Sequence, residues 1–298
     1  IDLSMFEKSG HVTVYGFSSK EEMRERAADA DVLILNKMQA DAYTLEKASH
    51  LKLICVTATG TNNLDKNYLA QRNIEWRNVA GYSTECVTQH TFAMLFYLLE
   101  KLAYYDDYVK SEAYVNNTTF THFSNVFHEL NGMTWGIIGL GAIGRRVAQI
   151  AAAFGCHVIY FSTSGKNDNP DYSRVSFDDL LSRSDIVSVH APLTEKTEGL
   201  MNRSAFQKMK KSAVFLNLGR GPIVVEQDLA DALLAEELAA AGLDVLSAEP
   251  MHPDNPLKSI KDSGRLLITP HIAWAGVETR RRLMETVCQQ IQTFFKIC

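Results

Sequence analysis

Short apolar runs separated by polar stretches of helical spacing recur along the whole chain. In the first third, Val12–Phe17, Val32–Leu35, Leu51–Val56 and Ile74–Asn78 have the length and apolar content of buried strands. Between them, Lys20–Ala30 and Ala40–Ser49 read as polar helices. Strands that alternate with helices imply a parallel sheet, because each parallel neighbour needs a crossover connection.

A longer helical pattern runs from Thr84 to about Lys110, with Phe92, Leu95, Phe96, Leu99 and Leu102 on one face. Ala113–Asn131 is a polar, aromatic-dotted connection without a period. A second α/β series follows, with strands expected at Thr134–Ile138, His157–Phe161, Asp185–Val189, Ala213–Leu218, Ala241–Val245 and Leu266–Thr269. All seven prolines lie after residue 169, several at strand ends or in loops, where the missing N–H is tolerated. The last helix, roughly Gly276–Lys296, comes after this series ends and is expected to return to the first domain.

Composition narrows the class. The 298 residues are 46% hydrophobic and 22% charged, enough for two globular cores. A net charge of -5 without a long Lys/Arg cluster lacks the footprint of a nucleic-acid binder. The longest apolar run, Phe92 to Leu99, is too short to cross a bilayer, and no secretory pattern opens the chain. The five scattered cysteines (Cys55, Cys86, Cys156, Cys288, Cys298) suit reduced thiols in a cytoplasm. Neither CxxC nor HExxH occurs, so no metal site is expected. The chain opens at Ile1 on a helix-like stretch where an α/β domain ordinarily opens on a strand, so residues before it are expected. The stop at Cys298, straight after the apolar run Ile291–Phe295, suggests the same at the other end.

Gly139-Leu140-Gly141-Ala142-Ile143-Gly144 follows one predicted strand and opens the helical run Ala142–Phe154. A GxGxxG alone is weak evidence. Here strand, helix and next strand fall within about 30 residues, the span of a dinucleotide fingerprint. The first glycine permits the turn, the second lets backbone approach a pyrophosphate, and the third allows helix–strand packing. The anion would rest on the helix N-terminus. The next strand should end in an acid for the adenosine ribose, but ends in Ser162, followed by Thr163, Ser164, Gly165 and Lys166. Without a carboxylate, a 2′-phosphate meets no repulsion and could bond the hydroxyls and Lys166. NADP is thereby permitted, NAD is not excluded, and an unspecialised polar loop is the plain alternative.

Three further segments fall at predicted strand ends: Asn217-Leu218-Gly219-Arg220-Gly221, Gly242-Leu243-Asp244-Val245 with Glu249-Pro250, and Thr269-Pro270-His271-Ile272-Ala273-Trp274. Ligands of open α/β sheets bind beyond the carboxyl ends of strands, so an Arg, a Glu and a His delivered there are candidates for one site. With Ala80-Gly81-Tyr82-Ser83 before the long helix and His190-Ala191-Pro192-Leu193-Thr194, the chain resembles the D-isomer-specific 2-hydroxyacid dehydrogenases from about Leu51 onward. Within them it looks most like the glycerate dehydrogenase/hydroxypyruvate reductase branch, on His271 in Pro-His-Ile-Ala-Trp-Ala.

The resemblance implies two Rossmann-like domains with parallel sheets. The central NAD(P)-binding domain, 84–274 with its connecting helix, would be inserted in a discontinuous flavodoxin-like substrate domain, 1–83 and 275–298. It implies Arg220 as holder of the substrate carboxylate and 2-oxo group, through a planar fork. His271 would be the acid that protonates the carbonyl oxygen, and Glu249 the partner that fixes its tautomer and sets negative charge beside the imidazolium. Asp244 resembles the residue that orients the nicotinamide carboxamide. Backbone amides at Thr59 and Gly60 resemble a carboxylate-gripping loop. His190, Pro192, Leu218 and Gly219 would be cofactor-loop residues, with His190 the competing histidine. Trp274 either walls the substrate pocket or packs in a hinge. Taken singly, Arg220 also suits a surface ion pair, and Glu249 before Pro250 suits turn chemistry.

The implied reaction is hydride transfer between NAD(P)H and a small 2-oxo acid, foremost hydroxypyruvate and also glyoxylate. A dehydrogenase of another 2-hydroxy acid and a non-catalytic dinucleotide-sensing protein of the same fold are the alternatives. The resemblance also implies a homodimer, with Tyr104-Tyr105-Asp106-Asp107-Tyr108 and Ala113–Asn131 as interface material, and domain closure on ligand binding.

Overall fold

In the computed structural model, residues 2–297 are described, and the chain divides into two compact units, residues 1–83 with 275–298, and residues 84–274. Cys298 lies outside the described residues, whereas Cys55, Cys156 and Cys288 are buried thiols.

The first unit holds α1 (Lys20–Arg26), β1 (Val32–Leu35), β2 (Leu53–Val56), α2 (Lys66–Gln71) and β3 (Glu75–Asn78). A capping box starts α1: Ser19 Oγ accepts from the Glu22 amide and the Glu22 carboxylate accepts from the Ser19 amide. The strands pair in the order β1-β2-β3, all parallel, and β2 is buried throughout. Two expectations fail here. Val12–Phe17 forms no strand, and Val14 and Phe17 are 64% and 83% exposed. An apolar run scores side chains, whereas a strand needs a neighbouring backbone, and among the described residues none pairs with this one. Ala40–Ser49 is a run of turns rather than a helix. The Asp41 carboxylate accepts from the Tyr43 and Thr44 amides at 3.0 and 2.9 Å, and such local side-chain bonds compete with helix formation.

The second unit begins with α3 (Thr84–Leu99) and α4 (Leu102–Lys110). The single helix expected from Thr84 to Lys110 is thus broken at Lys101, which takes a left-handed conformation (φ 55°) and donates from Nζ to the Gly264 carbonyl at 3.0 Å. There follow β4 (Thr134–Ile138), α5 (Ala142–Ala153), β5 (His157–Phe161), β6 (Ser173–Arg174), α6 (Phe177–Arg183), β7 (Ile186–Val189), α7 (Arg203–Lys208), β8 (Val214–Asn217), α8 (Glu226–Leu234), β9 (Ala240–Leu243) and β10 (Leu266–Ile268). The last helix, α9 (Val277–Phe295), belongs to the first unit. The short edge strand β6 was not foreseen.

The seven strands lie in the order β10-β9-β8-β7-β4-β5-β6, all parallel. Alternate residues feed opposite faces. Trp135, Ile137, Ile186, Val214 and Leu216 pack with α3 and α5, while Val187, Val189, Phe215 and Ala241 pack with α6, α7 and α8. Each fully buried large side chain contributes about 1.5–3 kcal/mol relative to exposure. Both faces being covered explains the near-continuous apolar runs of these strands.

One polar thread crosses this core. Trp135 donates from Nε1 to Ser188 Oγ at 2.9 Å, and Ser188 Oγ lies 3.1 Å from His190 Nε2. Because the indole can only donate, Ser188 Oγ accepts from it and has its own hydrogen to offer His190 Nε2, leaving Nδ1 as the ring's other nitrogen. That Nδ1 is buried without a partner among the described residues, and burial pushes the imidazole down to about 3. The folded chain therefore keeps His190 neutral at pH values where the unfolded chain, with an ordinary value of 6.5, binds a proton. This contribution leaves stability unchanged above the ordinary value and lowers it progressively as pH falls toward about 3. The urea midpoint of the wild type is expected to fall more steeply than that of His190→Gln between about pH 6 and 4. Parallel curves would show that His190 does not titrate this way.

Candidate functional site

The turn after β4 has three glycines with three different constraints. Gly139 sits at φ +93°, and a Cβ there would lie 2.9 Å from the Ala191 backbone. A Cβ on Gly144 would collide with the Gly139 carbonyl oxygen, so α5 can approach the strand only without one. Above Gly141 a Cβ would meet open space. Ala142 and Ile143 open α5, whose first turn has no side-chain cap. Uncapped helix amides facing an open approach fit a dinucleotide pyrophosphate.

Beyond β5, Ser162 is buried and its Oγ accepts from the Asn167 amide at 3.3 Å, which folds Thr163, Ser164, Gly165 and Lys166 into a turn. Asn167 Nδ2 in turn donates to the Leu140 carbonyl at 3.1 Å, tying this loop to the glycine turn. The pairing of β6 with β5 brings in Arg174, whose Nη2 would lie 3.9 Å from a Cβ on Gly165. Neither Arg174 nor Lys166 forms an ion pair among the described residues, although Asp168 and Asp171 follow in the loop. Reading along the chain missed Arg174, because its neighbourhood is created by strand pairing.

His190 and Pro192 lie just past β7, and the Pro192 carbonyl accepts from Thr197 Oγ1 at 2.8 Å. Leu218 is buried, and a Cβ on Gly219 would lie 2.9 Å from the Ala191 carbonyl. The carboxyl ends of β4, β7 and β8 thus converge on Ala191.

Arg220 follows β8, half-buried, with Nη1 donating to the Gly219 carbonyl at 2.7 Å and no carboxylate paired with it among the described residues. Its neighbour Gly221 packs so closely on the Leu246–Ser247 backbone that a Cβ would overlap it. The loops after β8 and β9 are therefore locked side by side. From the second of these, Glu249 accepts from the Leu246 amide through Oε1 at 3.1 Å. Glu249 Oε2 lies 2.7 Å from His271 Nδ1, with both side chains partly exposed.

His271 has φ +54°, uncommon for a residue with a Cβ, and its loop is held by Asp244. The Asp244 side chain is 2% exposed and accepts from Thr269 Oγ1 (2.6 Å), the Ile272 amide (2.9 Å) and the Ala273 amide (3.0 Å). The His271 amide donates to the Asp244 carbonyl at 2.8 Å. Trp274 Nε1 donates to the His271 carbonyl at 2.8 Å, so its polar edge serves the loop. His90 on α3, overlooked in the sequence, stands 3.1 Å from Thr269 Oγ1. A histidine inside an apolar helix was the available signal.

In the other unit, Thr59 and Gly60 follow β2. Thr59 Oγ1 donates to the Val79 carbonyl at 3.2 Å, and the Thr59 carbonyl accepts from Asn78 Nδ2 at 2.6 Å. Among the described residues neither amide donates to a main-chain carbonyl. No group of three or more His, Cys, Asp or Glu residues that could hold a metal occurs among the described residues.

Residues 92–273 match the family described as D-isomer specific 2-hydroxyacid dehydrogenase, NAD binding domain. A hydroxypyruvate reductase from Blautia hydrogenotrophica is 37% identical over 303 residues, covering 99% of this chain and 92% of that protein. The crystal structure of the TT0316 protein from Thermus thermophilus has a TM-score of 0.88 at 30% identity, covering 98% of this chain and 92% of that one. The D-lactate dehydrogenase from Aquifex aeolicus, complexed with NAD and lactic acid, has a TM-score of 0.86 at 27% identity and the same coverages, 98% and 92%. With the family matched over most of the chain and a relative aligned almost end to end, the assignment follows: the chain belongs to the D-isomer-specific 2-hydroxyacid dehydrogenases.

Proposed function

We propose that this protein reduces hydroxypyruvate to D-glycerate, and accepts glyoxylate, with NADH or NADPH as reductant. The observation that carries the reading is the 2.7 Å pairing of His271 with Glu249, next to the Arg220 loop. The name of the 37% identical relative supports the substrate. A bound nicotinamide supplies hydride to the carbonyl carbon in reduction and takes it back in oxidation.

The remaining work falls to this chain's own groups. Arg220 presents a planar guanidinium that holds the substrate carboxylate and 2-oxo group. With Nδ1 committed to Glu249, the His271 Nε2 is the nitrogen that gives a proton to the carbonyl oxygen. Glu249, held by the Leu246 amide, fixes ring orientation and tautomer. Asp244 Oδ2 has one donor from its own chain and offers its remaining acceptor position to the carboxamide. Backbone amides at Thr59 and Gly60 bind the substrate carboxylate, and Trp274 lines the substrate position. Gly139, Gly141, Ala142, Ile143 and Gly144 cradle the pyrophosphate. Ser162, Thr163 and Lys166, with Arg174, take the adenosine ribose and a 2′-phosphate where one is present. His190, Pro192, Leu218 and Gly219 border the cofactor.

We further propose a cytoplasmic homodimer. No described helix is long and apolar enough to cross a membrane. Helix α4 buries no residue, and Phe120, Phe123 and Val126 are 91%, 84% and 74% exposed, a run of apolar surface that a monomer rarely leaves uncovered. Light scattering should return twice the chain mass; a monomer at micromolar concentration would exclude the dimer.

The decisive experiment crosses NADH and NADPH with hydroxypyruvate, glyoxylate, pyruvate and 2-oxoglutarate, on the wild type, Arg220→Ala and Arg174→Ala. Hydroxypyruvate should be reduced most efficiently. Oxidation of neither coenzyme with any 2-oxo acid would favour the dinucleotide-sensing alternative, and turnover of another acid alone would replace the substrate. Losing charge-assisted hydrogen bonds of ~1.5–3 kcal/mol each, Arg220→Ala should lower kcat/KM by roughly tenfold or more. Arg174→Ala should weaken NADPH by about tenfold while sparing NADH. Equal losses on both coenzymes would place Arg174 away from the 2′-position.

A further inference from the structure

The His271 loop is held in a conformation that side chains rarely adopt, at φ +54°. What holds it is a network that starts on α3. Thr269 has one hydroxyl hydrogen, and its 2.6 Å contact with Asp244 Oδ1 takes it, because an ionised carboxylate can only accept. Thr269 Oγ1 must then accept from His90 Nε2, 3.1 Å away, so His90 carries its proton on Nε2. The same His90 nitrogen is 3.7 Å from Asp244 Oδ1. The chain of donors therefore runs in one direction, from His90 through Thr269 into the carboxylate.

We propose that His90 and Thr269 are positioning residues for the proton donor His271, acting through Asp244. This rests on the reading of His271 as the group that protonates the carbonyl oxygen. The side chain of Asp244 is 2% exposed and accepts the Ile272 and Ala273 amides while its carbonyl accepts the His271 amide, so the carboxylate and carbonyl of one residue bracket the histidine. A carboxylate with only those two amide donors could swing about χ2. The Thr269 hydroxyl supplies a third donor, to Oδ1, and His90 fixes that hydroxyl from a long, well-packed helix. The two amides that follow His271 are thereby fixed to one rotamer of a buried acid, and its own amide to that acid's carbonyl. The reacting imidazole inherits that orientation, and small misplacements of a reacting group cost rate steeply.

The test combines amide hydrogen exchange at His271, Ile272 and Ala273 with kcat and KM, on Thr269→Val, Thr269→Ser, His90→Leu and His90→Gln. Thr269→Val and His90→Leu should speed exchange at these three amides. They should also lower kcat about tenfold, with the KM for the 2-oxo acid changed less than about twofold. Thr269→Ser, which keeps the hydroxyl, and His90→Gln, whose amide can still donate, should restore most of both. Unchanged exchange in Thr269→Val would overturn the proposal. So would faster exchange with kcat intact, or a loss confined to thermal stability that Ser and Gln do not rescue. A wild-type chain without turnover would instead overturn the functional reading and, with it, the role of His271, while exchange would still report the clamp.

Discussion

Between β4 and β7 the chain leaves neighbouring strands in opposite directions, toward β5 on one side and β8 on the other. A parallel sheet with such a reversal has a crevice above its carboxyl edge that no connection covers. The other features of the site depend on this parting. Gly139, Ala191 and Gly219, from the ends of β4, β7 and β8, meet there at van der Waals limits that exclude a larger first residue. On one side lie the glycine turn and the hydroxyl-rich loop after β5. On the other lie Arg220, Asp244, Glu249 and His271, in strand order.

The chemistry on that second side is assembled by satisfying buried polar groups. Asp244 enters the core edge as a carboxylate, a costly group to bury unless it is hydrogen-bonded. Its partners come from the loop that carries His271, so the same bonds that make its burial tolerable also hold a histidine in an unusual backbone conformation. Glu249 adds a second constraint from a neighbouring loop, fixing the ring as Asp244 fixes the backbone. The proposed function and local stability here would rest on one set of hydrogen bonds.

Much of this was legible beforehand where the relevant signal is local. Periodicity located six of the seven strands of the second unit within a residue or two, because burial makes them apolar throughout, and missed the exposed two-residue β6. The glycine spacing and the segments around Arg220, Glu249 and His271 were legible for a related reason: strand, turn and chemistry are contiguous. Periodicity misled where a non-local partner or a short-range competitor decides. Val12–Phe17 has strand-like side chains but no strand partner among the described residues, Ala40–Ser49 is turned by its own Asp41, and the helix from Thr84 breaks where Lys101 reaches Gly264.

Sequence by itself therefore determined the family, the parallel α/β class, and which residue types arrive at which strand ends, since all of these are written in short contiguous segments. Tertiary structure alone decided which side chains meet. Arg174 comes beside the Ser162–Lys166 turn only because β6 pairs with β5, and His90 reaches Thr269 only because α3 lies across the sheet. Hydrogen bonds act over about 3 Å and carry no memory of separation along the chain, so partners nearly 180 positions apart leave no mark that a linear reading can find.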